Sequence, residues 1–353
     1  MEAILFRNCR LFDGLADESR HGVNVLVRGE TIERVSEKPL KASGAIEVDV
    51  AGRTLMPGLI DAHIHIYAVD FSSARMESMP LTLMTVLSLQ RIRGMIDRGF
   101  TSVRDVGGGD VGMRDAVARG LVPAPRLFVG GPWLSASGGH GDHRRGTDNR
   151  LDHDRNASAL AFQGRVVNSP DEMRVAVRDE LRRGADHIKV MASGGVGSPS
   201  DEIENLQFSP EELRVAVYEA NCRAKYVVAH AYTSASVRHA VSNGVRSIEH
   251  ANFIDAATAR LVVESGAYVV PTLVCFDETM THADRLALSP VVKDKLRHVN
   301  NSGIGMLDIC RAAGVKMGFG TDLVAEMESA QSREFTIRAR VERPVDILRS
   351  ATS

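Results

Sequence analysis

From residue 57 onward the sequence alternates short apolar runs with longer segments of helical period, and this alternation leaves very few folds open. The runs lie at 59–64, 101–106, 126–130, 187–191, 226–230, 245–249, 268–271 and 315–319. Between them, segments such as 81–98, 169–183, 209–224 and 290–313 repeat apolar residues at helical spacing. Ser209-Pro210-Glu211-Glu212 supplies a cap, a proline at the first helical position and acids in the first turn. Eight strands alternating with helices predict an α/β fold, a (β/α)8 TIM barrel over residues 57–353. A doubly wound sheet would stop at fewer strands.

Residues 1–56 read differently. Short β-rich runs at 3–5, 23–27, 31–35 and 46–50, with Gly29-Glu30 as a hairpin turn, predict a small β-domain. Such a piece buries little core by itself, so it must pack on the barrel or on another chain. The net charge of −2 argues against field-driven binding of nucleic acid or an anionic membrane. No run of about 18 apolar residues predicts a membrane span. Met1-Glu2-Ala3-Ile4-Leu5-Phe6-Arg7 meets charge too early for a secretory leader, so a cytoplasmic location is expected. Cys9, Cys222, Cys275 and Cys310 are scattered without a CxxC pair, which predicts buried free thiols rather than disulfides or a thiolate zinc cage.

Chemistry in a barrel sits at the C-terminal ends of the strands. The first run ends Asp61-Ala62-His63-Ile64-His65, and period-two alternation places His63 and His65 on one side, within reach of one metal. The fourth run carries Lys189 among apolar neighbours, where an ammonium must be paired or lost. A nearby aspartate would serve. So would carboxylation, which turns the amine into a carbamate able to bridge two divalent ions, and the other strand ends favour this second reading. His187, one layer deeper, reads as a core histidine with satisfied hydrogen bonds. The fifth run ends at His230, the sixth at Glu249-His250, and the eighth in Gly320-Thr321-Asp322. Four histidines, a lysine and an aspartate at five strand ends form a binuclear metal site. Gly107-Gly108-Gly109-Asp110-Val111-Gly112 fits GxGxxG, but the next strand has no acid at its end for a ribose, so a barrel loop explains it better.

Leu55-Met56-Pro57-Gly58-Leu59-Ile60-Asp61-Ala62-His63-Ile64-His65 resembles the entry into the barrel of the amidohydrolase superfamily. The stretches from His187 to Gly195, Ala229-His230-Ala231-Tyr232, Ile248-Glu249-His250 and Gly320-Thr321-Asp322 resemble its metal-dependent dipeptidase and carboxypeptidase branch, which includes prolidase-like and ochratoxin-hydrolysing enzymes. The resemblance implies His63, His65 and Asp322 on one Zn²⁺, His230 and His250 on the other, and carboxylated Lys189 between them. It implies a hydrolase that cleaves the amide before a C-terminal amino acid in dipeptides or N-acyl amino acids through a metal-bridging hydroxide. Asp322 would take the proton of the attacking hydroxide and pass it to the leaving amine.

The insertion at 133–168 is rich in Gly, His, Asp and Arg and is the expected substrate-binding element. Its Ser137-Gly138-Gly139-His140-Gly141-Asp142-His143-Arg144 matches a stretch common in that branch. His140 is the candidate to stabilise the oxyanion or contact the substrate carbonyl, and His143 the candidate for a further substrate contact. Tyr232 and Arg144 are candidates for the substrate's terminal carboxylate, while for Arg144 and Arg145 a solvated loop is the competing role. Gly194-Gly195 lets backbone pass close to the ligand or makes a tight turn.

A cyclic-amide hydrolase or deaminase of the same superfamily is the second reading. Lys189 and the Tyr232-Thr233 pair, where a deaminase usually carries glutamate, argue against it. A non-catalytic short form is the third, and the full set of six ligands argues against that. Relatives continue past the eighth strand into strands that complete the small domain, so an incomplete N-terminal β-domain, and a homo-oligomer that covers its edges, are expected.

Overall fold

A computed structural model describes residues 2–144, 146–147, 164–198 and 201–353; Arg145 and most of the insertion at 148–163 lie outside them. The chain divides into two units, Met1–Leu59 with Arg343–Ser353, and Ile60–Glu342.

In the first unit, β1 (Ala3–Leu11), β2 (Arg20–Arg28), β3 (Thr31–Ser36), β4 (Ile46–Asp49) and β5 (Thr54–Leu55) form one sheet in the order β3-β2-β1-β4, with β5 also on β1. Strands β2 and β3 meet through Gly29-Glu30, where Gly29 has φ 58°, as a tight hairpin turn requires. The core is small: Ala3, Leu5, Leu26 and Leu40. The last residues differ from expectation. The sequence reading placed 343–353 in the barrel with a boundary after residue 56, whereas the helix Pro344–Ser350 belongs to the first unit. Arg349 holds it there, donating to the Leu15 carbonyl at 2.6 Å and to Asp17 at 2.5 Å. A polar contact more than 330 residues apart in sequence has no local signal.

The second unit contains the barrel. Strands β6 (Leu59–Ile64), β7 (Phe100–Asp105) and β8 (Arg126–Val129) form one sheet. The other runs β10-β9-β11-β12-β13-β14-β15. Its members are β9 (Leu134–Ser135), β10 (Arg165–Val166), β11 (Ile188–Met191), β12 (Val227–Thr233), β13 (Ser247–Phe253), β14 (Tyr268–Val270) and β15 (Lys316–Met317). Backbone hydrogen bonds join the two sheets at both margins, Asp186 N to Val129 O and Ala62 N to Phe319 O, each 2.7 Å. The eight predicted runs are therefore β6, β7, β8 and β11 to β15, with β9 and β10 added where the insertion leaves and re-enters. Strand β11 is buried throughout, and β12 and β13 nearly so, as parallel strands under helices must be. The helix Pro210–Asn221 starts with the expected capping box, Ser209 N donating to Glu212 at 2.7 Å.

Barrel closure centres on Asp61, which is fully buried. One oxygen accepts the backbone N–H groups of His63 and Thr321, both at 3.1 Å. The other accepts the Thr321 hydroxyl at 2.6 Å and the Gln331 amide at 2.8 Å. Asp61→Ala leaves these donors unpaired in the interior, and should lower the unfolding free energy by about 3 kcal/mol or more. An unchanged urea midpoint would contradict this account.

Candidate metal centre

The proposed ligands line one cavity of about 220 Å³ at the C-terminal ends of the strands: His63, His65, Lys189, His230, His250 and Asp322. Period two places the first pair, His63 near the end of β6 and His65 just beyond it, both lining the cavity. Asp322 arrives from beyond β15, its backbone N–H on the His63 carbonyl at 2.8 Å. Its Oδ1 stands 3.3 Å from His63 Nε2 and 3.2 Å from His65 Nε2. One ligand atom each of His63, His250 and Asp322 fall within 4.8 Å of one another. The ring centres of His63 and His250 are 5.0 Å apart, and those of His230 and His250 4.8 Å.

Each imidazole has one nitrogen held by a neighbour. His63 Nδ1 donates to Glu249 at 2.7 Å, and His65 Nδ1 to the Gly107 carbonyl at 2.9 Å. His230 Nε2 donates to the Gly194 carbonyl at 3.1 Å, and His250 Nδ1 meets the Thr272 hydroxyl at 2.8 Å. The opposite nitrogens of His63 and His65 face Asp322 Oδ1, and one nitrogen held by a neighbour on each ring is the usual arrangement around metal-ligating histidines. Burial, followed by neighbouring His140 and His250, pushes His230 well below the ordinary imidazole range; burial and then His63 do the same to His250. Burial opposes ionisation of Asp322, but His63 and His65 beside it hold the carboxyl well below its usual value. His250 and Asp322 both have left-handed backbone, φ 77° and 53°, uncommon for any residue with a Cβ though less so for His and Asp than for most.

Lys189 is 2% exposed and has no carboxylate within ion-pair distance among the described residues. Burial lowers its ammonium to about 8 against the pull of Glu249 and Asp322. A buried amine of that kind suits carboxylation, and the nitrogen and carboxylate donors around it suit a divalent ion such as zinc.

His140, His143 and Tyr232 also line the cavity, whose remaining wall is largely apolar, with Phe71, Trp133, Met191, Phe276 and Leu296. The His140 ring stacks on His230 at 4.4 Å. Gly195 makes that stack possible, because a Cβ there would run into the His140 ring. His143 packs edge-on to Trp133 at 5.6 Å. Arg144 differs from expectation. Its guanidinium is committed to both oxygens of Asp142, each at 2.7 Å, and it does not line the cavity. Its charge is thus neutralised within its own loop. His187 is a correction as well: it is buried and stacked near Tyr226, but neither ring nitrogen has a hydrogen-bond partner among the described residues.

Several supporting residues escaped the sequence reading. Asp105 accepts the backbone N–H groups of Ile66, Gly107 and Gly109 at 2.5 to 2.9 Å. A Cβ on Gly109 would lie 2.6 Å from the Asp105 carboxyl carbon, which explains the glycine run without a dinucleotide. Arg91 donates to the carbonyls of His65, Ile66 and Leu323 at 3.0 to 3.2 Å and pairs with Glu328 at 2.7 Å. The glycine-rich repeat was the one available signal for Asp105; Arg91, inside a helix, offered none.

The amidohydrolase family model matches residues 54–353. The chain belongs to the amidohydrolase family. It is 45% identical to an amidohydrolase of known crystal structure, with a TM-score of 0.94 over 99% of this chain and 85% of that one. A prolidase solved with N-methylphosphonate-L-proline is 42% identical, with a TM-score of 0.96 and the same coverage. Ochratoxinase from Aspergillus niger is 31% identical over 85% of this chain, and the match spans 64% of that relative's length.

Arg91→Met removes the clamp that spans the ends of the first and eighth strands of this amidohydrolase barrel and half-strips Glu328 of its counter-ions. The unfolding free energy should fall by roughly 3 kcal/mol, read as a lower denaturant midpoint at unchanged slope. A midpoint equal to wild type would remove Arg91 from the supports of the site.

Proposed function

We propose that the chain is a metal-dependent hydrolase that cleaves the amide bond before a C-terminal amino acid in dipeptides or N-acyl amino acids. The observation that carries this reading is Lys189, buried and without a carboxylate in ion-pair distance among the described residues, in one cavity with four oriented histidines and Asp322. The similarity to a prolidase that binds a phosphonate analogue of an acyl-proline supports the substrate class, since a phosphonate has the tetrahedral shape of an amide under attack.

His63, His65 and Asp322 would hold one divalent ion, His230 and His250 a second, and carboxylated Lys189 would be shared by both. Such ions, zinc for preference, lower the pKa of water toward neutrality and polarise the scissile carbonyl. Asp322, kept ionised by His63 and His65, receives the proton of the attacking water and delivers it to the leaving amine. Burial, followed by His143 and Lys189, lowers His140 to about 3, so it faces the substrate as a neutral imidazole. From its stack on His230 it is placed to hydrogen-bond the carbonyl oxygen as charge develops there. The Tyr232 ring is wedged against His230 and His250, at 4.6 and 5.1 Å between centres. Its hydroxyl is the remaining candidate for the substrate's terminal carboxylate, now that Arg144 is occupied, and His143 shapes the wall beside Trp133.

A panel of N-acyl amino acids and dipeptides tests the reading. Purified protein should carry close to two equivalents of zinc and release the C-terminal amino acid, lose activity to a chelator, and regain it with added zinc. Fully metallated protein that cleaves no member of the panel would overturn the proposal. Lys189→Ala should lose roughly a hundredfold or more of the activity together with bound metal; wild-type activity at full occupancy would exclude the shared carbamate.

A further inference from the structure

Beneath the cavity, inside the barrel, lies a buried ion pair that the proposed chemistry does not use. Glu249 is completely enclosed. Its Oε2 accepts from His63 Nδ1 at 2.7 Å, while Oε1 accepts from Ser247 Oγ at 2.6 Å and Arg104 Nη2 at 2.8 Å. Arg104 extends from β7 across the interior, and its Nε donates to the Ala62 carbonyl at 2.6 Å, the residue before His63. Its Nη1 reaches Ser247 Oγ at 3.2 Å. One guanidinium therefore grips both the carboxylate that orients the His63 ring and the backbone that carries it.

We propose that Arg104 is a positioning residue for one half of the metal centre. By holding the Glu249 carboxylate aimed at His63 Nδ1 and gripping the Ala62 carbonyl, it orients the His63 ring and leaves Nε2 facing Asp322. The inference rests on the binuclear reading given above. Its distinguishing content is asymmetry. His65, His230 and His250 are oriented by Gly107, Gly194 and Thr272, not by this pair. Loss of Arg104 should thus weaken the ion held by His63, His65 and Asp322 and spare the other. Without the guanidinium, the enclosed Glu249 side chain is free to turn away from His63 Nδ1 and the Ala62 carbonyl loses its donor, so the His63 ring is no longer held in one orientation.

The test is stepwise zinc affinity, measured against a chromogenic chelator on wild-type, Arg104→Met and Arg104→Lys protein. In Arg104→Met one of two dissociation constants should rise about tenfold to a hundredfold and the other change by less than about threefold, with Arg104→Lys recovering part of the loss. Two unchanged constants, or two that weaken together in step with a lower melting temperature of the metal-free protein, would overturn the inference. Should Arg104→Met not fold, Glu249→Gln keeps a carbonyl oxygen for His63 Nδ1 and puts an amide NH2 in place of the oxygen that Arg104 holds. It should show a smaller loss at the same single site, and no loss there would be equally decisive against the proposal. Wild-type protein that binds fewer than two ions would instead count against the binuclear reading itself.

Discussion

The candidate metal centre depends on the seam where β6 meets the chain leaving β15. Three of the six converging side chains belong to that seam, His63 and His65 at the first strand and Asp322 from beyond the last, more than 250 residues away in sequence. What brings them within 3.3 Å is a set of backbone and carboxylate hydrogen bonds: Ala62 to Phe319, Asp322 to His63, and Asp61 to Thr321 and Gln331. Arg91 repeats the same join one layer higher, across the carbonyls of His65 and Leu323. Barrel closure and site assembly are therefore a single event, and the strained backbone at Asp322 is sustained because both sides of the seam are fixed.

A second constraint comes from charge. Taking a lysine out of water without a partner is among the most expensive choices a core can make. Most buried ions in this barrel are compensated, Glu249 by Arg104 and Glu328 by Arg91 and Arg98. Lys189 alone among the proposed ligands stands apart, with Glu249 and Asp322 felt only at longer range. A side chain held in that condition is intelligible as a precursor to something chemically different, and the histidines around it supply the setting.

Much of this was legible in the sequence because it is local. Alternation puts His63 and His65 on one side, and strand ends in a barrel announce His230, His250 and Asp322. The cap at Ser209 and the turn at Gly29 read directly from residue type. The supports from Glu249 and Arg91 were not legible, because each is a pairing between distant segments: Glu249 with His63 lies 186 residues away in sequence, and Arg91 with Glu328 lies 237. Arg144 misled for the converse reason. A cation in a glycine-rich loop invites an anionic ligand, yet the anion was Asp142, two residues earlier. His187 is in the interior, as its layer in the strand predicts, but neither ring nitrogen meets a partner among the described residues.

The glycines around the cavity bear on how this chain tolerates change. Gly107, Gly109 and Gly195 have no reactive atoms, yet a single methyl at any of them would enter the space of Trp133, Asp105 or His140. In a map of tolerated substitutions these positions should look as restricted as the ligands themselves. An observer ranking positions by intolerance would then count structural vacancies among the chemical groups. In this barrel, empty volume at three backbone positions is as much a part of the site's specification as the imidazoles it makes room for.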